Sequence, residues 1–278
     1  MTIASGRNAA EMPHVYAVVS RRAKGVSVGI DLNTNRACNW RCIYCQVPDL
    51  VRAKAPPVDI GCLSRELTDL LESITHGDYM ARHVPEGLRT LSDIAIAGSG
   101  EPTLSKQFDQ VVEAVLCSLQ SFDLVGKVKI VLITNGSQMH VPEVQRGIAA
   151  MSKMGGEVWF KLDSATPEGR RGINGAGIST RRVYSNLRLA AGLCRTRIQT
   201  MVLAVDGIPP SEQSQQAWLQ FVGQVLEKKI PIVDVLLYGL DRPSAQSEAS
   251  RLENVPRTWI ERFASRIESL GLPVQINP

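Results

Sequence analysis

Cys38, Cys42 and Cys45 fall within eight residues, Cys38-Asn39-Trp40-Arg41-Cys42-Ile43-Tyr44-Cys45. Spacings of three and then two bring three thiolates to one side of a short loop. Three protein ligands leave one corner of a four-iron cluster open, and an open iron can bind and reduce a small molecule. The motif therefore points to an enzyme with a demanding cofactor. Zinc is the rival reading, but a closed structural zinc site needs a fourth ligand. Only distant residues such as Cys62, His14 or His76 are on offer for it. A disulfide framework is disfavoured, because six cysteines in 278 residues is sparse and no export signal precedes them. Polar Asn39 and Arg41 argue against a cluster of inert core thiols.

Strand and helix signals alternate around this loop. Residues 26–32, 93–98, 127–133, 157–163, 197–205 and 232–238 read as strands, several of them apolar throughout. Helical periodicity is expected over 64–75, 105–119, 142–154, 180–194, 211–229 and 256–270. Continuous apolar strands separated by helices imply a parallel sheet covered on its outer face. Six such units predict an α/β fold: a partial (β/α)6 TIM-like barrel of parallel strands with outer helices. Residues 76–91, with Gly77, Pro85 and Gly87, read as an irregular insert. Residues 1–14 read as a flexible N-terminal arm, and 15–278 as a single domain.

Sites in parallel α/β sheets lie at the carboxyl ends of the strands. That rule gathers the polar motifs on one rim. The cysteine loop follows the first strand, Gly98-Ser99-Gly100-Glu101-Pro102 the second and Thr134-Asn135-Gly136 the third. Lys161, Asp163 and Ser164 end the fourth, and Tyr238 to Pro243, with Arg242, the sixth. Each motif alone is also ordinary turn chemistry; their shared placement carries the argument.

The net charge of +4 is uneven, with a balance of +4 over residues 1–60 and +6 over 161–200. Two basic regions could meet around an anionic substrate such as nucleic acid, or be solvated helix faces. Arg21, Arg22 and Lys24 precede the first strand and, with Arg242, are candidate substrate or carboxylate contacts. Cys117 and Cys194 read as small apolar helix residues, and Cys62 as at most an accessory redox group. No apolar run approaches the roughly 20 residues of a membrane helix. Reduced thiols without an export signal suggest the cytoplasm.

Cys-x3-Cys-x2-Cys with an aromatic before the last cysteine, followed by a Gly-Gly-Glu-Pro-like motif, resembles the radical S-adenosylmethionine superfamily. The resemblance runs from about Val15 to Pro243. It implies that Cys38, Cys42 and Cys45 hold a 4Fe-4S cluster whose fourth iron is chelated by the methionyl group of S-adenosylmethionine. Tyr44 would lie near the adenine. Gly98, Ser99, Gly100, Glu101 and Pro102 would receive the methionyl ammonium, with Ser99 standing where the family often has a second glycine. Asn135, Lys161, Asp163 and Ser164 would contact ribose or carboxylate. The implied reaction is reductive cleavage of S-adenosylmethionine to a carbon radical, normally 5′-deoxyadenosyl, that takes hydrogen from a substrate. A reductase, flavodoxin or ferredoxin would supply the electron.

Val15-Tyr-Ala-Val-Val-Ser-Arg-Arg22 and the motifs that follow are similar to the branch that includes relatives of the wyosine tRNA base synthase. The wyosine enzyme holds a second cluster with upstream cysteines, and no cysteine precedes Cys38 here. The likeness thus implies the branch and a single cluster rather than that reaction. A tRNA base or another anionic molecule is the expected substrate. A small metabolite, a peptide or a glycyl-radical partner protein is the alternative, and a non-catalytic zinc or iron-sulfur module stands behind both.

Overall fold

The computed structural model describes residues 12–20 and 24–277. Its strands are β1 (Val15–Ser20), β2 (Gly25–Ile30), β3 (Leu91–Ile96), β4 (Lys129–Thr134), β5 (Glu157–Lys161), β6 (Arg195–Met201), β7 (Leu203–Val205), β8 (Ile232–Tyr238), β9 (Leu252–Asn254) and β10 (Val274–Asn277). The helices are α1 (Ile60–Thr75), α2 (Tyr79–His83), α3 (Phe108–Ser121), α4 (Pro142–Lys153), α5 (Pro167–Asn174), α6 (Thr180–Leu193), α7 (Glu212–Glu227) and α8 (Arg257–Glu268). One eight-stranded sheet runs in the order β1-β2-β3-β4-β5-β6-β8-β10. β1 pairs antiparallel with β2, and every later neighbour is parallel. β1 and β10 are the two ends of the sheet, so the barrel is partial.

Alternation along the strands separates two environments. Val26, Val28 and Ile30 on β2, Ile94 and Ile96 on β3, and Ile130 and Leu132 on β4 are buried in the main apolar core. Leu63, Leu67, Leu70, Leu71 and Ile74 of α1 and Val111, Val112 and Val115 of α3 belong to the same core. Each such side chain stabilises by roughly 1.5–3 kcal/mol when fully removed from water. The intervening residues, Ser27, Gly29, Asp93, Ala95, Val131 and Ile133, line a cavity instead. On β2 and β3 they are small or polar, where that face encloses space rather than packing on helices, while Val131 and Ile133 of β4 give it an apolar wall.

Helix starts follow local chemistry. Asp59 accepts from Cys62 N, Ser179 from Arg182 N and Ser211 from Ser214 N, satisfying first-turn donors of α1, α6 and α7. Proline opens α4 and α5, where its missing N–H costs nothing.

Several elements depart from the sequence reading. β1 and β10 extend the sheet to seven parallel strands plus an antiparallel edge; β10 has only four residues, too few for a periodic signal. α5 was not expected, since Gly169 and Gly172 lower its helix propensity. Residue 14, placed in the arm by the sequence reading, is packed into the fold. His14 is buried, its backbone N donates to Glu66 Oε2 at 2.9 Å, and its Nδ1 lies 3.0 Å from the Asp31 carbonyl. Residues 1–11 lie outside the described residues. The 76–91 insert holds α2 and one 3-10 turn at Glu86–Leu88 before β3 begins at Leu91.

Candidate active site

The cysteine loop leaves the carboxyl end of β2 and is clamped by distant backbone. Arg41 N donates to Asn174 O at 2.8 Å and Ile43 N to Ile173 O at 2.9 Å, at the last residues of α5. On the other side Ser244 Oγ donates to Ile43 O at 2.7 Å and Ala245 N to Cys45 O at 2.8 Å. Gln246 Nε2 donates to Val47 O at 2.8 Å, and Arg41 forms an ion pair with Glu248 at 2.9 Å. Beneath the loop lies a second apolar cluster of Ile43, Tyr44, Met201, Leu203 and Tyr238. The β7–β9 pair supplies its floor through Leu203, Val205 and Leu252.

The Gly98–Pro102 motif knits three loops together. Asp31, buried after β2, accepts from Ser99 N at 3.0 Å and Ser99 Oγ at 2.6 Å. Ser99 thus uses its hydroxyl where a glycine would offer none. A Cβ at Gly98 would strike the Asp31 carboxylate, and one at Gly100 would strike the Ala37 carbonyl of the cysteine loop. Both glycines are required by this close packing, not only by any approach of a ligand. Glu101 is 3% exposed and accepts from Thr103 N at 3.1 Å, Thr134 Oγ1 at 2.6 Å and Asn135 N at 2.7 Å. Burial raises its carboxyl above the usual range, and these donors pull it back. Asn135 Nδ2 in turn donates to Asn39 Oδ1 at 2.8 Å, fixing the cysteine loop to the end of β4.

Lys161, at the end of β5, is the half-buried cation of the rim. Its Nζ lies 3.2 Å from the Tyr238 hydroxyl and 3.4 Å from that of Tyr44, and 5.1 Å from the Tyr44 ring centroid. Burial works against its charge, but Tyr238, Asp163 and Cys42 outweigh burial and hold the amine above its ordinary range. Asp163 accepts from the Tyr44 hydroxyl, from Met201 N at 2.8 Å and from Asn174 Nδ2 at 2.6 Å. It is a hydrogen-bonded knot rather than the ion-pair partner of Lys161. Ser164 turns away from the site: its Oγ accepts from Thr166 N at 3.3 Å, and its carbonyl accepts from Arg170 at 3.1 Å, at the start of α5.

All three cysteines line one cavity of about 690 Å³ with Tyr44, Gly98, Gly100, Glu101, Asn135, Lys161 and Arg242. Ser99, Pro102, Asp163 and Ser164 sit behind this wall rather than in it. Arg21 and Arg22 lie outside the described residues. Tyr16 and Ser20 of β1 and Ile276 and Asn277 of β10 also line the cavity, which therefore reaches the gap between the sheet ends. Sequence reasoning missed Tyr238 as a partner of Lys161, and missed Asn174, Asp31, Asp93 and Trp159. Inward alternation along β3 and β5 was the one available signal for the last two.

Among the described residues the cavity's basic lining is Lys161 and Arg242, against Asp93, Glu101 and Asp241. Arg170 is buried against the Ser164 and Ile178 carbonyls, while Arg195 and Arg197 lie within ion-pair range of Glu157.

The thiols suit a metal cluster. All three are free, and burial with Glu101 nearby pushes Cys38 up to about 12, while burial pushes Cys42 up to about 11. Such thiols become thiolates only against a strong local cation. Two sulfurs already meet donors: Trp40 N at 3.4 Å from Cys38 Sγ, and Asn174 Nδ2 at 3.3 Å from Cys42 Sγ. Among the described residues no three His, Cys, Asp or Glu side chains converge on one point, so the cysteines share a wall without closing a cage. The would-be fourth zinc ligands are elsewhere. Cys62 Sγ contacts Glu66 at 3.1 Å on α1, and His76 pairs with Glu72 at 3.0 Å. Cys194 is buried against the Gly156 carbonyl, as its apolar setting implied, whereas Cys117 is exposed on α3, contrary to that reading. No described helix is long and apolar enough to cross a membrane.

Comparison with known proteins gives a concordant picture. A UPF0026 protein of Synechocystis sp. is 25% identical over 284 residues, covering 96% of this chain and 97% of the relative. A UPF0026 protein of Helicobacter pylori strain J99 is 23% identical over 240 residues, covering 84% of this chain and 68% of the relative. The crystal structure of a radical SAM methyltransferase from Sphaerobacter thermophilus aligns with a TM-score of 0.62 at 13% identity, covering 95% of this chain and 68% of that one. A structure of TYW1 with a lysine-pyruvate adduct bound aligns at 0.58 and 13% identity, covering 92% and 84%. At these identities the solved structures share the fold alone. Residues 32–213 match the Radical SAM superfamily, a span that includes the cysteine loop, the Gly98–Pro102 knot and Lys161; the chain belongs to that superfamily.

Proposed function

We propose that this protein is a radical S-adenosylmethionine enzyme with a single 4Fe-4S cluster on Cys38, Cys42 and Cys45. The observation that carries the reading is one cavity bounded by all three cysteines, by Gly98, Gly100 and Glu101, and by Lys161. When bound, the cluster supplies the electron that cleaves S-adenosylmethionine reductively to a carbon radical. The chain's own residues bind and orient. Backbone at Gly98 and Gly100, with Glu101 behind it, receives the methionyl ammonium, since a buried carboxylate favours a cation. Lys161, with no carboxylate among its hydrogen-bond partners, is suited to the cofactor carboxylate or ribose. Tyr44, on the cavity wall, offers an aromatic edge for the adenine.

The substrate enters by the gap between β1 and β10. Trp159 and the Asp93 carboxylate, held by Ser27 Oγ, line its path, and Arg242 stands at the exposed mouth. A planar base with N–H donors facing Asp93 and a phosphate facing Arg242 fits that arrangement, so a tRNA base is the substrate we favour. An electron donor of the flavodoxin, ferredoxin or reductase class completes the system.

The test is anaerobic reconstitution with iron and sulfide, reduction, and addition of S-adenosylmethionine. Formation of 5′-deoxyadenosine and methionine supports the reading. Stoichiometric zinc binding with no cleavage product overturns it. Binding of tRNA that weakens steeply with salt supports the substrate assignment; no binding at low salt removes it.

A further inference from the structure

Asn174 ends α5 and is fully buried. Its side-chain nitrogen carries two hydrogens and has two neighbours, Asp163 Oδ2 at 2.6 Å and Cys42 Sγ at 3.3 Å. Asp163 already accepts from Met201 N and the Tyr44 hydroxyl, so it acts as an acceptor. Turning the amide over would set oxygen against carboxylate oxygen, which is repulsive. The nitrogen therefore faces Asp163 and the sulfur, even though Oδ1 is left buried without a hydrogen-bond partner. The backbone holds the same residue in place. Asn174 O accepts from Arg41 N at 2.8 Å, and Gly175 caps α5 in the left-handed conformation with φ 58°.

We propose that Asn174 is a positioning residue that sets the reduction potential of the cluster. The proposal rests on the assignment of the cysteine triplet made above. One-electron reduction makes the cluster more anionic, and an N–H donor aimed at a ligand sulfur stabilises the reduced form more than the oxidised one. Asp163 fixes which amide atom is presented, so an acid whose own hydrogen bonds go to Tyr44, Asn174 and Met201 governs the donor at Cys42. The electron comes from the external reductant, no bond in the protein breaks, and no proton is transferred. Removing the donor lowers the potential and makes the cluster harder to reduce.

The experiment uses the full chain, reconstituted anaerobically, as wild type, Asn174→Leu and Asn174→Ala. Leucine has the same branched heavy-atom shape, slightly bulkier and without a donor, which keeps water from replacing the amide at the sulfur; alanine shows the effect with water admitted. The readout is the midpoint potential, from a redox titration followed by the paramagnetic signal of the reduced cluster. Iron and sulfide content and circular dichroism are measured on the same samples. Asn174→Leu is expected to load normally and to shift the reduced-to-oxidised ratio at fixed ambient potential by about tenfold, equivalent to about 59 mV for one electron. Asn174→Ala should shift it less. Loaded variants with an unchanged potential overturn the proposal and leave the cluster assignment intact. Loss of the cluster from both variants also overturns it, because the residue would then serve loading rather than tuning. A wild type that takes up no cluster overturns the assignment itself, and this proposal with it.

Discussion

The two ends of the barrel treat buried charge in opposite ways. Near the amino ends of the strands, Glu157 of β5 is 3% exposed and faces Lys129 at 3.3 Å, Arg195 at 3.4 Å and Arg197 at 3.2 Å. Arg197 also lies 3.5 Å from Asp234, which accepts from Gln275 Nε2 at 2.8 Å. The Arg197 contacts are ion pairs by distance rather than aligned hydrogen bonds. Charge there is answered by opposite charge. At the carboxyl ends, Lys161 meets two phenols, and Asp163 and Glu101 collect neutral donors. Charge there is held in place and left without a hydrogen-bonded counter-ion beside a cavity. The first arrangement serves stability; the second holds binding groups ready, with less of its energy spent internally.

Substitutions at the two ends should therefore separate stability from binding. The largest effect is expected for Cys42→Ala, which removes one of three thiols from the cavity wall. Cluster content by iron assay and S-adenosylmethionine cleavage by chromatography should both fall to background, with the urea midpoint of the apoprotein little changed. Glu157→Ala leaves three cations without their shared acid. Urea unfolding should show a loss of about 3 kcal/mol, at the low end for a broken buried pair because Lys129 and Arg195 remain partly wet. Cluster content of the folded fraction should not change, and if it does, the two ends are coupled and the contrast fails.

Lys161→Met removes the amine from between Tyr44 and Tyr238. Affinity for S-adenosylmethionine, read by titration of the reconstituted protein, should weaken about tenfold, or about 1.4 kcal/mol. A change in melting temperature without a change in affinity would place Lys161 with Glu157 as a structural charge. The smallest effect concerns Asp93, whose carboxyl burial raises above its ordinary 3.8. The folded state then binds that proton more tightly than the unfolded chain. Its contribution is full below pH 3.8 and is lost as pH rises through the elevated folded value. Asp93→Asn should flatten that part of the stability profile, measured by urea midpoints between about pH 4 and about pH 7. An unchanged profile would mean that Asp93 is as solvated folded as unfolded.

Much of the site could be read before folding because its chemistry is local. Three cysteines in eight residues, and glycines flanking Ser99, mark ligands and turns by type and spacing. The alternation of strands and helices announces a parallel sheet, and the carboxyl-end rule gathers the motifs on one rim. What that reasoning assigned to a cofactor, the fold in part claims for itself. Gly98 and Gly100 make room for Asp31 and the Ala37 carbonyl, Ser164 serves the start of α5, and Asp163 ties Tyr44 to Asn174.

The amino-acid order alone thus determined the thiol set, the strand pattern and the rim on which polar residues gather. Tertiary structure decided the partners. Asn174 reaches Cys42 across 132 positions, Ser244 reaches Ile43 across 201, and Tyr238 reaches Lys161 across 77. Such contacts depend on the register of the intervening strands and on where α5 ends. A one-residue slip in a strand turns every side chain to the other face. Local propensity carries no record of that accumulated geometry, so the donor at the sulfur and the clamp on the cysteine loop emerge only when the sheet is assembled.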